Sequence, residues 1–207
     1  MHVISKIRSA VRAVMRRVAS LFNILSGGRL SPDTVTIVGF AAHIPVAILI
    51  ATRHNIWAAA LLIVFGLFDT LDGELARLQK KASPRGMLLD ASTDRMKEVL
   101  LYSGAAYALA VSAHPTYAVW AAAAVGASIC VSYVKAKGEA AVASLGKKIP
   151  HDTLNHMFAG GFLTFEIRMV VLAAGLVFNQ LLWAVVFVAV FASLTAIWRL
   201  VRISRQL

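Results

Sequence analysis

Six apolar stretches separated by short polar loops dominate this chain. They run Thr34 to Thr52, Ile56 to Phe68, Gly86 to Ser112, Thr116 to Val134, Phe162 to Phe178 and Leu181 to Leu200. A membrane-crossing helix needs about 20 mostly apolar residues, and 207 residues accommodate roughly six such spans. Hydrophobic residues make up 59% and charged residues 15%, with mean hydropathy +0.73. Soluble domains run about 45–50% and about 25%, so the composition excludes an ordinary soluble enzyme. The one cysteine, Cys130, excludes an internal disulfide and a cysteine metal site. Residues 1–30 are basic throughout and carry no cleavable-signal pattern.

The loops set orientation. Lys6, Arg8, Arg12, Arg16, Arg17 and Arg29 precede the first stretch, and only Arg53 follows it. Arg77, Lys80, Lys81 and Arg85 fill the next loop, whereas Ala113-His114-Pro115 has no cation. Lys135, Lys137, Lys147 and Lys148 follow the fourth stretch, Asn179-Gln180 has none, and Arg199, Arg202 and Arg205 close the chain. This alternation puts both termini and the longer loops in the cytoplasm. The net charge of +11 therefore points to anionic lipid headgroups rather than nucleic acid. In residues 4–25, Ile4, Ile7, Val11, Val14, Val18, Leu21 and Leu25 share one helical face, opposite Arg8, Arg12 and Arg16. Such a helix lies along a membrane surface or packs on the rest of the protein. The expected fold is an all-α integral membrane protein. Residues 1–30 form an amphipathic juxtamembrane helix, and residues 31–207 form a six-span domain. Ser31-Pro32-Asp33 is a strong helix start for the first span.

Six of the ten acids fall between Asp69 and Glu98. Asp69 and Asp72 share one helix face, as do Asp90 and Asp94. Two antiparallel helices with a short connection would bring both pairs together at the cytoplasmic end. Carboxylates in a membrane cost about 2.5–3.5 kcal/mol each, so they take up protons or gather cations. Oxygen ligands favour a hard ion such as Mg²⁺, Mn²⁺ or Ca²⁺, and four are enough for two metals. Two other readings remain at this point. The acids could pair with Arg77, Lys80, Arg85, Arg95 and Lys97 as an interfacial charge network, or line a proton or cation path.

The intervening residues sharpen the choice. The segment reads Asp69-Thr-Leu-Asp72-Gly73-Glu-Leu-Ala76-Arg77, eight residues, then Gly86-Met-Leu-Leu-Asp90-Ala-Ser-Thr-Asp94. Glycine within a helix costs about 1 kcal/mol, which Gly73 can justify if a ligand approaches the backbone. The pattern resembles the signature of the CDP-alcohol phosphotransferase (CDP-alcohol phosphatidyltransferase) family, D-x2-D-G-x2-A-R followed by G-x3-D-x3-D. The resemblance implies transfer of a substituted phosphate from a CDP-alcohol, such as CDP-diacylglycerol, to a second alcohol, with release of CMP. It implies that Asp69, Asp72, Asp90 and Asp94 hold two divalent cations, Mg²⁺ or Mn²⁺, with Asp94 also the general base. Asp33, Thr36, Asp69, Gly73, Ala76, Arg77 and Gly86 would contact the CDP group.

Two further stretches bear on the acceptor. Ser132-Tyr133-Val134-Lys135-Ala136-Lys137-Gly138-Glu139-Ala140 resembles a stretch of the phosphatidylinositol phosphate synthase branch, with Lys137 where arginine is usual. Thr164-Phe165-Glu166-Ile167-Arg168-Met169 resembles the arginine-bearing fifth span of inositol-phosphate-using branches, with Phe165 at a position often held by arginine. Lys135, Lys137 and Arg168 are thus expected to form an acceptor-phosphate pocket. Alternatively, Arg168 pairs with Glu166 or Glu139 and anchors its helix. The expected acceptor is inositol phosphate, with glycerol 3-phosphate as acceptor or CDP-inositol as donor the alternatives. The other functional class is a divalent-cation or proton transporter. The expected setting is a multi-pass cell-membrane protein with a cytoplasmic active site, membrane lipids around it, a homodimeric state and no nucleic-acid partner. His151 and His156 read as loop histidines, and His43 beside Pro45 as a packed polar residue.

Overall fold

The computed structural model describes residues 2–144 and 163–205, with side chains from Ser9 onward, and all its regular elements are helices. They are α1 (His2–Leu25), α2 (Pro32–Ala51), α3 (Asn55–Gly66), α4 (Phe68–Leu78) and α5 (Pro84–Ala110). A 3₁₀ turn, Pro115–Tyr117, leads into α6 (Ala118–Ser144), and α7 (Phe165–Val177) and α8 (Leu181–Ser204) complete the chain. His151 and His156 lie outside the described residues.

Local chemistry sets the boundaries. Ser31 caps α2 by accepting from Thr34 N at 3.1 Å, with Pro32 in the first turn. Ser83 caps α5 by accepting from Gly86 N at 3.1 Å, with Pro84 next. Each pair satisfies an otherwise unpartnered N–H and presets the first helical φ. Gly27, Arg53, Lys80 and Asn179 adopt positive φ where α1, α2, α4 and α7 end. The following N–H then reaches back, as in Lys81 N to Ala76 O at 2.9 Å and His54 N to Leu49 O at 2.9 Å. This is the left-handed cap that frees the chain to turn.

Among the described residues, four units are long and apolar enough to cross a membrane: Pro32–Ala51, Asn55–Leu78, Pro115–Ser144 and Leu181–Ser204. The second joins α3 and α4 through a tightened turn, in which Leu67 N bonds Val64 O and Thr70 N bonds Leu67 O. The expected continuation of the second stretch into Asp69-Thr70-Leu71-Asp72 is helical, and it runs on to Leu78. The stretch expected from Phe162 to Phe178 is shorter as helix. The 13 residues of α7 reach only about 20 Å at 1.5 Å per residue. Although α5 has ample length, its first half is charged. The fourth expected span also continues, through Lys135 and Lys137 to Ser144, because nothing there breaks the helix.

The main core joins α2, α3, α5, α6, α7 and α8, through residues such as Val46, Leu62, Leu101, Leu172 and Val188. Small residues set its closest approaches. A Cβ on Gly104 of α5 would collide with the Ala47 carbonyl oxygen of α2, and one on Gly138 of α6 would meet Ile203 at 2.9 Å. Backbones can close this tightly only where side chains vanish. The second core, Ala19, Val35, Leu71 and Leu75, seats α1 on α4. At the far end, Arg53 Nη2 donates to Ala108 O at 2.9 Å, and Asn55 Nδ2 to Asn179 Oδ1 at 2.7 Å. Replacing Gly104 with leucine will lower the thermal midpoint in detergent by several degrees, since overpacking costs about 1–3 kcal/mol. Gly126→Leu, where a Cβ meets open space, is the control and should leave the midpoint within a degree or so.

Candidate active site

Helix α4 supplies Asp69 and Asp72 one turn apart, and α5 supplies Asp90 and Asp94 likewise. The four carboxylates lie within electrostatic reach of one another. Thr36 joins α2 to this set. It is buried, and its hydroxyl donates to Asp72 Oδ2 at 2.5 Å. Asp33, at the start of α2, lies 3.9 Å from the Arg85 guanidinium and beside Gly86, where a Cβ would stand 3.8 Å from its carboxylate. Seven of the expected site residues thus lie where α2, α4 and α5 converge.

Gly73 has a second use. Arg77 folds back along α4 and places its guanidinium where a Gly73 side chain would crowd it, 3.4 Å from the site of a Cβ. Arg77 Nη2 donates to Glu74 Oε1 at 2.7 Å, and Arg16 of α1 reaches Glu74 Oε2 at 3.5 Å. The Arg77 side chain is 56% exposed, so its guanidinium can turn outward to an anion.

The basic residues of α5 enter the same set. Lys97, 1% exposed, donates to Asp69 Oδ1 and to Asp94 Oδ1, the latter at 3.2 Å. Arg95 lies 3.7 Å from Asp94 Oδ2 and 3.0 Å from Glu98 Oε2, and its Nη1 donates to Ser132 Oγ of α6. Its guanidinium rests over the Phe165 ring, 5.0 Å from the centroid. Glu98, fully buried, takes two bonds from Arg168 of α7, Nε at 2.7 Å and Nη2 at 3.2 Å. Arg168 Nη1 also donates to Leu163 O at 3.0 Å. A continuous chain of ion pairs therefore runs from α4 through α5 to α7. The charge-network and clustered-carboxylate readings both describe parts of it.

The acceptor-side residues are more dispersed. Arg168 meets Glu98 rather than Glu166 or Glu139 as its principal partner. Lys135 lies 3.6 Å from Glu139 one turn on, and Lys137 sits over the Tyr133 ring at 5.7 Å. Two residues that the sequence reading left out of the site belong beside it. Glu98 continues the Asp90–Asp94 face at four-residue spacing, a signal that was available. Arg199 of α8, buried and donating to Val131 O at 3.1 Å, stands in the field of Arg168 and Arg95. It had read only as an inside-facing terminal charge. His43 is buried, with Nδ1 2.7 Å from Gly39 O, as a packed polar residue should be.

The donor set of four carboxylates fits a hard divalent ion in chemistry. Among the described residues, however, no group of three or more His, Cys, Asp or Glu side chains is arranged to hold one. Asp69 and Asp94 are instead turned to Lys97.

Comparison with known proteins places the chain. The family model for CDP-alcohol phosphatidyltransferase matches residues 29–192, and the chain belongs to this family. A phosphatidylinositol phosphate synthase of Corynebacterium glutamicum is 37% identical over 136 residues, 64% of this chain and 61% of the relative. A bifunctional IPC transferase and DIPP synthase of Rubrobacter xylanophilus is 35% identical over 147 residues, 70% of this chain and 31% of the relative. The chain thus spans under two thirds of the length of these curated relatives. The crystal structure of Mycobacterium tuberculosis phosphatidylinositol phosphate synthase with CDP-DAG bound superposes with TM-score 0.77 at 25% identity, covering 92% of this chain and 94% of that one. Another structure of that enzyme, in complex with manganese and citrate, shares the fold at 24% identity and TM-score 0.77.

The buried Glu98–Arg168 pair gives a stability test. Glu98→Ala leaves a buried guanidinium without its carboxylate, which should cost about 3–5 kcal/mol. The double variant Glu98→Leu with Arg168→Met should recover most of that loss in denaturant unfolding from mixed micelles.

Proposed function

We propose that this chain is a metal-dependent CDP-alcohol phosphotransferase of membrane phospholipid synthesis. In this reading it transfers a substituted phosphate from a CDP-alcohol, CDP-diacylglycerol foremost, to a hydroxyl of a phosphorylated polyol of the inositol phosphate type, releasing CMP. The observation that supports the reading is that the four signature aspartates of α4 and α5 lie together, with Thr36 of α2 donating to Asp72 and Lys97 joining Asp69 to Asp94. Support also comes from the family membership and from relatives named phosphatidylinositol phosphate synthase.

In this mechanism Asp69, Asp72, Asp90 and Asp94 hold two divalent cations, Mg²⁺ or Mn²⁺, which would neutralise the diphosphate and stabilise the departing CMP. Thr36 fixes the orientation of Asp72. Gly73, Ala76 and Gly86 keep the backbone open to the nucleotide, and Arg77 releases Glu74 to meet a phosphate oxygen. Asp94, 17% exposed at the mouth of the site, accepts the proton of the attacking hydroxyl. The acceptor phosphate is bound by the cations beyond Asp94. Arg95 and Arg168 both pair with Glu98, Arg199 stands in their field, and Lys135 lies one turn past Ser132. A cationic patch of that kind attracts a dianion. An acceptor without phosphate, such as inositol or serine, would add no ion pair there.

The membrane setting belongs to the same reading. The chain is a six-span membrane protein in which α5 and the region of α7 complete the four apolar units, with both termini and the site cytoplasmic. Residues 1–30 lie on the membrane surface as an amphipathic helix, and a homodimer is the expected state. The exposed Val14, Leu21, Phe22, Ile24 and Leu25 of α1 supply the apolar contact with lipid. A transporter would need buried polar groups across the whole bundle. Beyond Glu98, α5 instead buries Leu101, Tyr102, Ala105, Ala108 and Leu109.

The test is CMP release in lipid with CDP-diacylglycerol, Mg²⁺ or Mn²⁺, and inositol 1-phosphate, glycerol 3-phosphate, inositol or serine. Inositol 1-phosphate should give the highest rate. Asp94→Asn should lower it by about 10²–10⁴-fold, the range for loss of a general base, with folding and metal binding partly retained. Near-normal release from that variant removes Asp94 from the chemistry. Release that needs soluble CDP-inositol instead would overturn the lipid-donor assignment.

A further inference from the structure

Lys97 is an unusual neighbour for a set of metal ligands. Its side chain is 1% exposed, and its ammonium touches the first and last aspartates of the signature, Asp69 on α4 and Asp94 on α5. It therefore stands where an ion bridging these two carboxylates would have to stand. The remaining pair is arranged otherwise: Asp72 is oriented by the Thr36 hydroxyl, and Asp90 lies in the field of Asp69, Lys97 and Arg95. A divalent ion shared by Asp69 and Asp94 would meet the ammonium at a few ångströms. Like charges at that separation repel strongly in a partly buried site.

We propose that Lys97 is a built-in cation that holds the place of one of the two divalent ions until the donor arrives. This rests on reading the four aspartates as the metal site. Without donor, Asp72 and Asp90 would hold one divalent ion, while Lys97 neutralises Asp69 and Asp94. The donor's diphosphate brings negative charge. Lysine carries its ammonium on a flexible four-carbon stem with three donors, so Lys97 can turn from the aspartates onto a phosphate oxygen. Asp69 and Asp94 would then be free to hold the second ion. Lys97 thus makes occupancy of the second metal position depend on the donor, and it keeps α4 and α5 joined while that position is vacant.

The test is Mn²⁺ binding to the full chain in nanodiscs, followed by loss of the free-ion electron paramagnetic resonance signal. The proteins are the parent, Lys97→Met and Lys97→Gln, each with and without CDP. Without CDP the parent should bind one ion tightly and a second at least about tenfold more weakly, as repulsion from a nearby ammonium requires. CDP should bring the second ion to comparable affinity. Both variants should bind two ions of similar affinity without CDP. Two tight ions on the donor-free parent would overturn the role of Lys97 and leave the metal site standing, whether or not the variants fold. Isotherms unchanged by either substitution would do the same. Absence of Mn²⁺ binding by every protein, with or without CDP, would remove the metal site itself and this inference with it.

Discussion

Charge placed among packed apolar helices must be matched locally, and α5 carries most of that requirement here. Asp90, Asp94, Arg95, Lys97 and Glu98 all fall within nine residues of one helix. An unpartnered carboxylate or ammonium at such depth costs several kcal/mol. The helix meets this cost in three directions. Lys97 reaches back to Asp69 of α4, Arg95 crosses to Ser132 of α6, and Glu98 receives Arg168 of α7. The positions of α4, α6 and α7 around α5 are therefore fixed by charge at one end of the bundle. Toward the other end a small residue seats α2 on the same helix, where Gly104 admits the Ala47 carbonyl.

The two kinds of constraint divide the molecule along its length. Past Glu98, the buried face of α5 is Leu101, Tyr102, Ala105 and Ala108, which pack by shape. Before it, the helix carries hydrophilic groups that pack by pairing. The same division explains why α5 is not among the four plainly apolar units even though it is long enough to cross a bilayer. Its charges are affordable because neighbouring helices, rather than lipid, face them.

Much of this was legible in sequence, for local reasons. Ser31-Pro32 and Ser83-Pro84 are caps whose chemistry is complete within four residues, and both helices begin there. The convergence of Asp69, Asp72, Asp90 and Asp94 followed from helical spacing and a short connection. What could not be read depended on packing between distant segments. Glu98 and Arg168 are far apart in the chain, and nearby Glu166 and Glu139 were the natural partners to expect. Burial of Arg199 depends on how α8 meets α6. The uninterrupted run from Ile56 concealed the tightened turn at Leu67, because that turn breaks no hydrophobic pattern. Gly73 was read as room for a ligand, whereas the space also receives Arg77 of its own helix.

The order of charges along the ion-pair chain bears on the chemistry proposed for it. Attack of a phosphorylated alcohol on a diphosphate, with CMP leaving, brings two anions together, and their repulsion opposes the encounter. A single uniformly cationic pocket would bind both but would not keep them apart in register. Here the carboxylates of α4 and α5 form one region, suited to cations that receive the diphosphate. Arg95 and Arg168, paired with Glu98, form the next, which the proposed reading assigns to a phosphate. Asp94 and Arg95 are consecutive residues at the boundary, one turned to each region. A hydroxyl carried by a phosphate held beside Arg95 would reach Asp94 with little further adjustment. Proximity of this kind is among the larger sources of catalytic advantage. The rigid α5 backbone supplies it, because the spacing of Asp94 and Arg95 is covalent.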